Sequence, residues 1–187
     1  RRIANRPRDT HMTTSDEAAS SSTGEAASEL RTVDIKFDAR ARTLGKMKSE
    51  VTITSQFSNF SVTLETDEGK LHGGDASAPM PLHYFAAGVV TCLMTQMKAF
   101  AKRLRIPVEN IEMNANFHWR LEQQGREPYV SQPVGFDIDI DVDSDAPLED
   151  LKRLIEAAKK GCFAEQALTL PCAIGHRLKV GEDWVDV

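Results

Sequence analysis

The sequence predicts an α+β fold with mostly antiparallel sheet. Three observations carry that expectation. Three strand-like runs precede one long apolar helix instead of alternating with helices one for one. Two long runs of alternating polarity, residues 111–120 and 136–142, follow that helix and are joined by turn-forming residues. A second helix, a short helical piece and a last strand close the chain. The order β-β-β-α-β-β-α-(α)-β segregates strand pairs from helices, which favours antiparallel pairing.

The elements follow in order. Residues 1–30 are rich in Ser, Ala, Thr, Glu and Arg and nearly free of large apolar side chains, so a disordered tail is expected there. His11-Met12 reads as the junction of an artificial leader with a natural start. Asp9, Asp16 and Glu17 argue against an organellar transit peptide. Residues 31–187 then form a single domain. In the first strand, residues 32–39, Val33, Ile35 and Phe37 alternate with Thr32, Asp34, Lys36 and Asp38. Residues 50–57 and 60–66 give two more, joined by a turn at Ser58-Asn59. Turn chemistry at Asp67-Glu68-Gly69-Lys70 and the stretch Leu71-His72-Gly73-Gly74-Asp75 lead into the central helix. The two glycines stand outside any GK[ST] or GxGxxG pattern and carry no phosphate-loop signal.

The central helix, residues 79–104, opens on a proline suited to a first helical turn, and Arg105-Ile106-Pro107 stops it. Leu82, Phe85, Ala86, Val89, Leu93, Met97, Phe100 and Leu104 recur at helical spacing. Between Tyr84 and Met94 the apolar residues run nearly all the way round, which demands burial on every side. Next, Ile111, Met113, Ala115, Phe117 and Trp119 share one strand face. Phe136, Ile138, Ile140 and Val142 share one on the following strand, opposite Asp137, Asp139, Asp141 and Asp143. Those carboxylates lie in a row rather than around a loop, so they read as a solvated face rather than a cation site. Asp145-Ala146-Pro147 caps a helix over residues 148–160, Gly161 breaks it, and a short helix covers residues 162–168. The final strand is expected at residues 172–180.

The totals exclude several classes of function. The 187 residues carry a net charge of −5, which offers no basic face for nucleic acid. The apolar part of the central helix is shorter than the roughly 18–20 residues that span a bilayer. No secretory h-region is present, and a soluble, cytoplasmic protein with no metal and no cofactor is expected.

Candidate chemistry rests on cysteine. Cys92, Cys162 and Cys172 are three, widely spaced and without a CxxC pair, which fits neither a disulfide framework nor a zinc site. Inert core thiols are the plain alternative. Cys92 lies mid-helix. Cys162 opens a helical turn after Lys159, Lys160 and Gly161, and a helix N-terminus with positive charge nearby favours thiolate. On that argument Cys162 is the more ionised of the two, unless a partner charge reaches Cys92. Cys172, after Pro171, reads as a packed residue.

The stretch Gly-Gly-Asp-Ala-Ser-Ala-Pro-Met-Pro-Leu, followed by Phe-Ala-Ala-Gly-Val-Val-Thr-Cys92-Leu, resembles the first cysteine helix of the OsmC/Ohr proteins. Glu-Ala-Ala-Lys-Lys-Gly-Cys162 resembles their second cysteine motif, seventy positions later. The resemblance covers about residues 32–181. It implies an OsmC-like, intertwined homodimer with two long helices at its centre and mostly antiparallel sheets around them. It also implies thiol-dependent reduction of organic hydroperoxides. Cys92 would attack the peroxide and become sulfenic acid, Cys162 would resolve it to a disulfide, and an external dithiol would restore the thiols. A pocket around Phe85, Leu93 and Met94 would favour apolar hydroperoxides.

The chain departs from the family at two places. The arginine and glutamate that steady the family's thiolate fall here near His72 or Lys70 and near Leu82 or His83. His72 and His83 are therefore the candidate partners of Cys92, because an imidazole beside a cysteine activates it. After the second cysteine the family usually has Pro-Val/Ile-Ser, whereas this chain has Phe163-Ala164-Glu165-Gln166. The alternative function is a small-molecule-binding or stress-protective dimer without efficient peroxidase turnover.

Overall fold

The computed structural model describes residues 30–187. The tail expected at residues 1–30 lies, except for Leu30, outside them. The chain forms β1 (Phe37–Thr43), β2 (Ser49–Ser55), β3 (Ser61–Thr66), α1 (Pro81–Leu104), β4 (Asn110–Glu122), β5 (Val130–Asp143), α2 (Leu148–Gly161), α3 (Phe163–Thr169), β6 (Arg177–Val180) and β7 (Asp183–Asp186). All pairings are antiparallel, in sheets β1-β2-β3, β4-β5 and β6-β7. The α+β expectation holds.

Three strands differ from their sequence readings, one of them β5, which begins at Val130 rather than at residue 136. The first begins at Phe37, not at residue 32, because its partner β2 ends at Ser55 and the register sets Phe37 opposite Ser55. Val33 and Ile35 stay outside the sheet, 50% and 39% exposed. Near the C-terminus, residues 172–176 are not strand. The strand starts at Arg177 and turns at Gly181 (φ +63°) into β7, where a tail was expected.

The β1-β2-β3 sheet has two unlike faces. Pairs Ala39–Ile53, Ala41–Val51, Ile53–Val62 and Val51–Leu64 give one apolar side. The other carries Arg42 paired to Glu50 at 2.9 Å and a Thr52–Thr63 hydroxyl bond. On the apolar side Phe37 is 62% and Val62 37% exposed, whereas Val51, Ile53 and Leu64 are half-buried.

The core lies where α1, α2 and the β4-β5 hairpin meet. Leu93, Met97 and Ala101 from α1, Leu154 and Ala158 from α2, Ile111 from β4 and Ile106 just before it form one buried cluster with Cys162. The inward β5 residues Ile138, Ile140 and Val142 pack against it, and Asp137, Asp139, Asp141 and Asp143 point out to solvent. At residues 118–119 the ladder shifts: His118 faces Gly135, but Trp119 faces Pro133, so Val134 is bulged. A proline is tolerated in a strand at such a place. Phe117, Trp119 and Phe136 then gather around Phe85 of α1, with ring centroids 4.7 to 6.2 Å apart.

The loop before α1 is folded tightly around Asp67, which is 2% exposed. Its carboxylate accepts the N–H groups of Glu68 and Ser77 and the Ser77 hydroxyl, at 2.8 to 2.9 Å. The Ser77 N–H foremost, with the other donors, holds the Asp67 carboxyl below its ordinary value. Tyr84 adds a tether, its hydroxyl donating to the Glu65 carbonyl at 3.0 Å.

Candidate functional site

α1 forms because good helix formers and apolar residues at helical spacing follow Pro81 at its first turn. Its N-terminus is closed by His83, whose Nδ1 accepts the Met80 N–H at 2.9 Å. The His83 imidazole is thus the helix cap. Nine residues separate it from Cys92, which is about 13 Å along the axis and half a turn round the helix. Within one chain His83 does not face Cys92.

His72 is also engaged elsewhere. Its Nδ1 lies 3.3 Å from the Glu68 carboxylate and its Nε2 lies 3.2 Å from the Tyr129 hydroxyl. The two rings stand 5.8 Å apart. This carboxylate–imidazole–phenol chain ties the loop before α1 to the start of β5. Nothing in the sequence paired His72 with Tyr129, fifty-seven positions away.

The two cysteines do come together. Cys92 packs half-buried against the core cluster, and Cys162 lies inside it with no exposed surface. Gly161 makes this approach feasible: a Cβ there would sit 2.6 Å from two carbons of the Phe100 ring on α1. Cys162 caps α3, its Sγ accepting the Glu165 N–H at 3.5 Å. Both sulfurs are free thiols.

Burial, more than any other influence, pushes the Cys162 thiol above its ordinary 9.0; the adjoining Cys92 thiol adds to this, and the Glu165 N–H opposes it. That direction is opposite to the lowering expected of Cys162 from its place at a helix N-terminus. Desolvation outweighs the short helix. The folded state binds this proton more tightly than the unfolded chain, so Cys162 contributes stability that is fully present below pH 9.0 and lost as pH rises above it. Lys48, bonded to Glu65, and Lys159, bonded to Glu156, are raised from 10.5 and act only at higher pH. Urea titrations of reduced protein should show stability falling between about pH 9 and 10.5. Cys162→Ser should remove that fall.

A pocket of about 580 Å³ borders the same core, sharing Leu93 with the buried cluster that holds Cys162. Its wall is mainly apolar, with Val89, Leu93, Phe136, Ile138 and Ile155, and it carries Lys159 and Glu165 on either side of Cys162. Leu93 lines it directly. Phe85 reaches it only through its contact with Phe136, and Met94 packs against the core cluster instead. Cys172 is exposed, not packed, with its Sγ 3.9 Å from the Ala173 carbonyl. Among the described residues no cluster of three or more His, Cys, Asp or Glu side chains is arranged to hold a metal ion. No described helix is long and apolar enough to cross a membrane.

An α+β chain with one cysteine on its long helix and a second folded back against it beside an apolar pocket defines a two-thiol protein. The family model described as OsmC-like protein matches residues 73–177, which include both cysteines. The chain belongs to the OsmC-like family. Among solved structures it is 40% identical to an OsmC-like hydroperoxide resistance protein from Jannaschia sp. CCS1, covering 82% of this chain and 98% of that one, with a TM-score of 0.57. An OsmC-like protein from Mycoplasma pneumoniae shares the fold at 19% identity, covering 73% and 89%, TM-score 0.53. So does an organic hydroperoxide resistance protein OsmC from Legionella pneumophila, at 17% identity, covering 71% and 88%, TM-score 0.50. No curated protein matches the sequence.

Proposed function

We propose that this chain reduces organic hydroperoxides through Cys92 and Cys162. The observation that carries the reading is that these two thiols, seventy positions apart, meet in one apolar cluster beside a pocket of about 580 Å³. The name of the Jannaschia protein, a hydroperoxide resistance protein, supports it. The Cys92 thiolate attacks one peroxide oxygen. The S–O bond forms as the O–O bond breaks, and the alkoxide leaves as alcohol after taking a proton. Sulfur is oxidised by two electrons and the peroxide is reduced by two. The Cys162 thiol then attacks the sulfenic sulfur, the S–S bond forms and water leaves. An external dithiol returns both sulfurs to thiols.

The apolar wall suits hydroperoxides with a hydrocarbon body. The exposed apolar side chains of the β1-β2-β3 sheet, Phe37 and Val62, suit a second copy of the chain, and the working form is a homodimer. A reducing cytoplasm suits free thiols.

Treating reduced protein with an alkyl hydroperoxide and mapping disulfides by mass spectrometry tests the mechanism. A Cys92–Cys162 bond is expected, and Cys92→Ser should lower peroxide consumption to the background rate. Consumption that persists in Cys92→Ser would sink it. One observation favours a second reading, a small-molecule-binding dimer without turnover: His72 and His83 are both committed to partners other than Cys92. Tight binding of an apolar ligand with no disulfide formed would select it.

A further inference from the structure

We infer that Gln166 is a positioning residue for Cys162, an inference that rests on the peroxidase reading above. Gln166 belongs to α3, one turn beyond the cysteine, and is half-buried. Its side-chain Nε2 donates to the Lys159 carbonyl at 3.0 Å, and its backbone N–H donates to the Cys162 carbonyl at 2.9 Å. One residue therefore grips the chain on both sides of the Gly161–Cys162 junction. The Lys159 carbonyl belongs to the last turn of α2, where carbonyls lack partners within the helix. Its contact from the Cys162 N–H is long, at 3.4 Å. Gln166 supplies the shorter bond, and by doing so fixes the angle between α2 and α3.

That angle decides where the Cys162 sulfur points. Core packing holds the Cys162 side chain, but other polar contacts at the junction are few: Gly161 contributes no side chain, and the Glu165 N–H reaches the sulfur at 3.5 Å. A disulfide tolerates only a narrow range of Cβ separation and torsion. Cys162 also has a raised pKa, so it does not compensate for poor placement with a large thiolate fraction. Resolution then depends on where the thiol is held. Gln166 acts on that second step, because its side chain bonds to the Lys159 carbonyl beside Cys162 and is not part of the pocket wall.

The test separates the two steps. Reduced protein is mixed with a single equivalent of alkyl hydroperoxide, and the Cys92 sulfenic acid is trapped at timed intervals with a 1,3-diketone. The Cys92–Cys162 disulfide is quantified in parallel by mass spectrometry. Gln166→Glu keeps the shape and removes the donor. Gln166→Lys restores a donor of similar reach. Gln166→Glu should form sulfenic acid at the wild-type rate and form disulfide about ten- to a hundredfold more slowly, the range expected for a misplaced reacting group. Gln166→Lys should recover most of the disulfide rate. A wild-type disulfide rate in Gln166→Glu overturns the inference while leaving the peroxidase reading intact. Equal slowing in both variants also overturns it, since a donor would then be irrelevant. If the wild-type protein itself forms no Cys92–Cys162 bond, both readings fall together.

Discussion

Leu154→Ala is expected to lower the free energy of unfolding by about 2–5 kcal/mol. Leu154 has no exposed surface and sits in the cluster that joins Leu93 and Met97 of α1 to Ala158 and Cys162. Truncation loses the transfer energy of three carbons and leaves a cavity that neighbours on two packed helices only partly fill. Domains of this size are stable by about 5–15 kcal/mol, so this single change removes a large fraction. Urea unfolding monitored by circular dichroism should show a lower midpoint with an unchanged slope. Leu148→Ala, six residues earlier on the same helix but 64% exposed, should stay within about 0.5 kcal/mol of wild type. Equal losses at both positions would show that the core described here does not carry the stability.

Gly161→Val should damage both stability and thiol chemistry. The first added carbon would lie 2.6 Å from the Phe100 ring, inside contact distance. Overpacking of this kind costs about 1–3 kcal/mol. Against it stands the helix preference that glycine lacks, at most about 1 kcal/mol and less for a β-branched residue. The clash wins. Where the half-buried Phe100 ring does not turn aside, relief moves α2 back from α1 and carries Cys162 away from Cys92. Disulfide formation after one equivalent of hydroperoxide should slow by at least tenfold, the usual penalty for about 1 Å of misplacement. Gly161→Ala, with no further branches, should show a smaller loss of stability and the same direction of effect. Full disulfide formation in Gly161→Val would mean that the close approach of the helices is not what brings the sulfurs together.

Much of this architecture was legible because burial leaves a period in the sequence. α1 could be read from apolar residues at every third and fourth position, and β4 and β5 from strict alternation. The first strand was misplaced because Val33 and Ile35 are stronger signals than Ala39 and Ala41, yet the register with β2 selects the alanines. Pairing partners, not propensity, decide such cases. The β6-β7 hairpin was missed because its second strand, Asp183–Asp186, has only four residues. At the site, both cysteines stood out as chemistry-bearing residues, whereas their surroundings did not. A helix N-terminus is visible in a sequence, but the depth at which Cys162 is buried is not. The glutamine that clasps its junction looks like any polar residue on a short helix. His72 and His83 were singled out for their chemistry, and the structure gives each a local partner that spacing alone did not reveal.

The order of the strands has a consequence for how the chain acquires its fold. Among the described residues every pairing joins neighbours along the chain: β1 with β2, β2 with β3, β4 with β5, β6 with β7. No ladder waits for a distant partner, so each hairpin can close early at a small entropic cost. The long-range step is the docking of α2 and α3 on α1 across the whole β4-β5 hairpin. That same docking brings Cys162 to Cys92. The meeting of the thiols therefore depends on helix docking and not on the closure of any one hairpin.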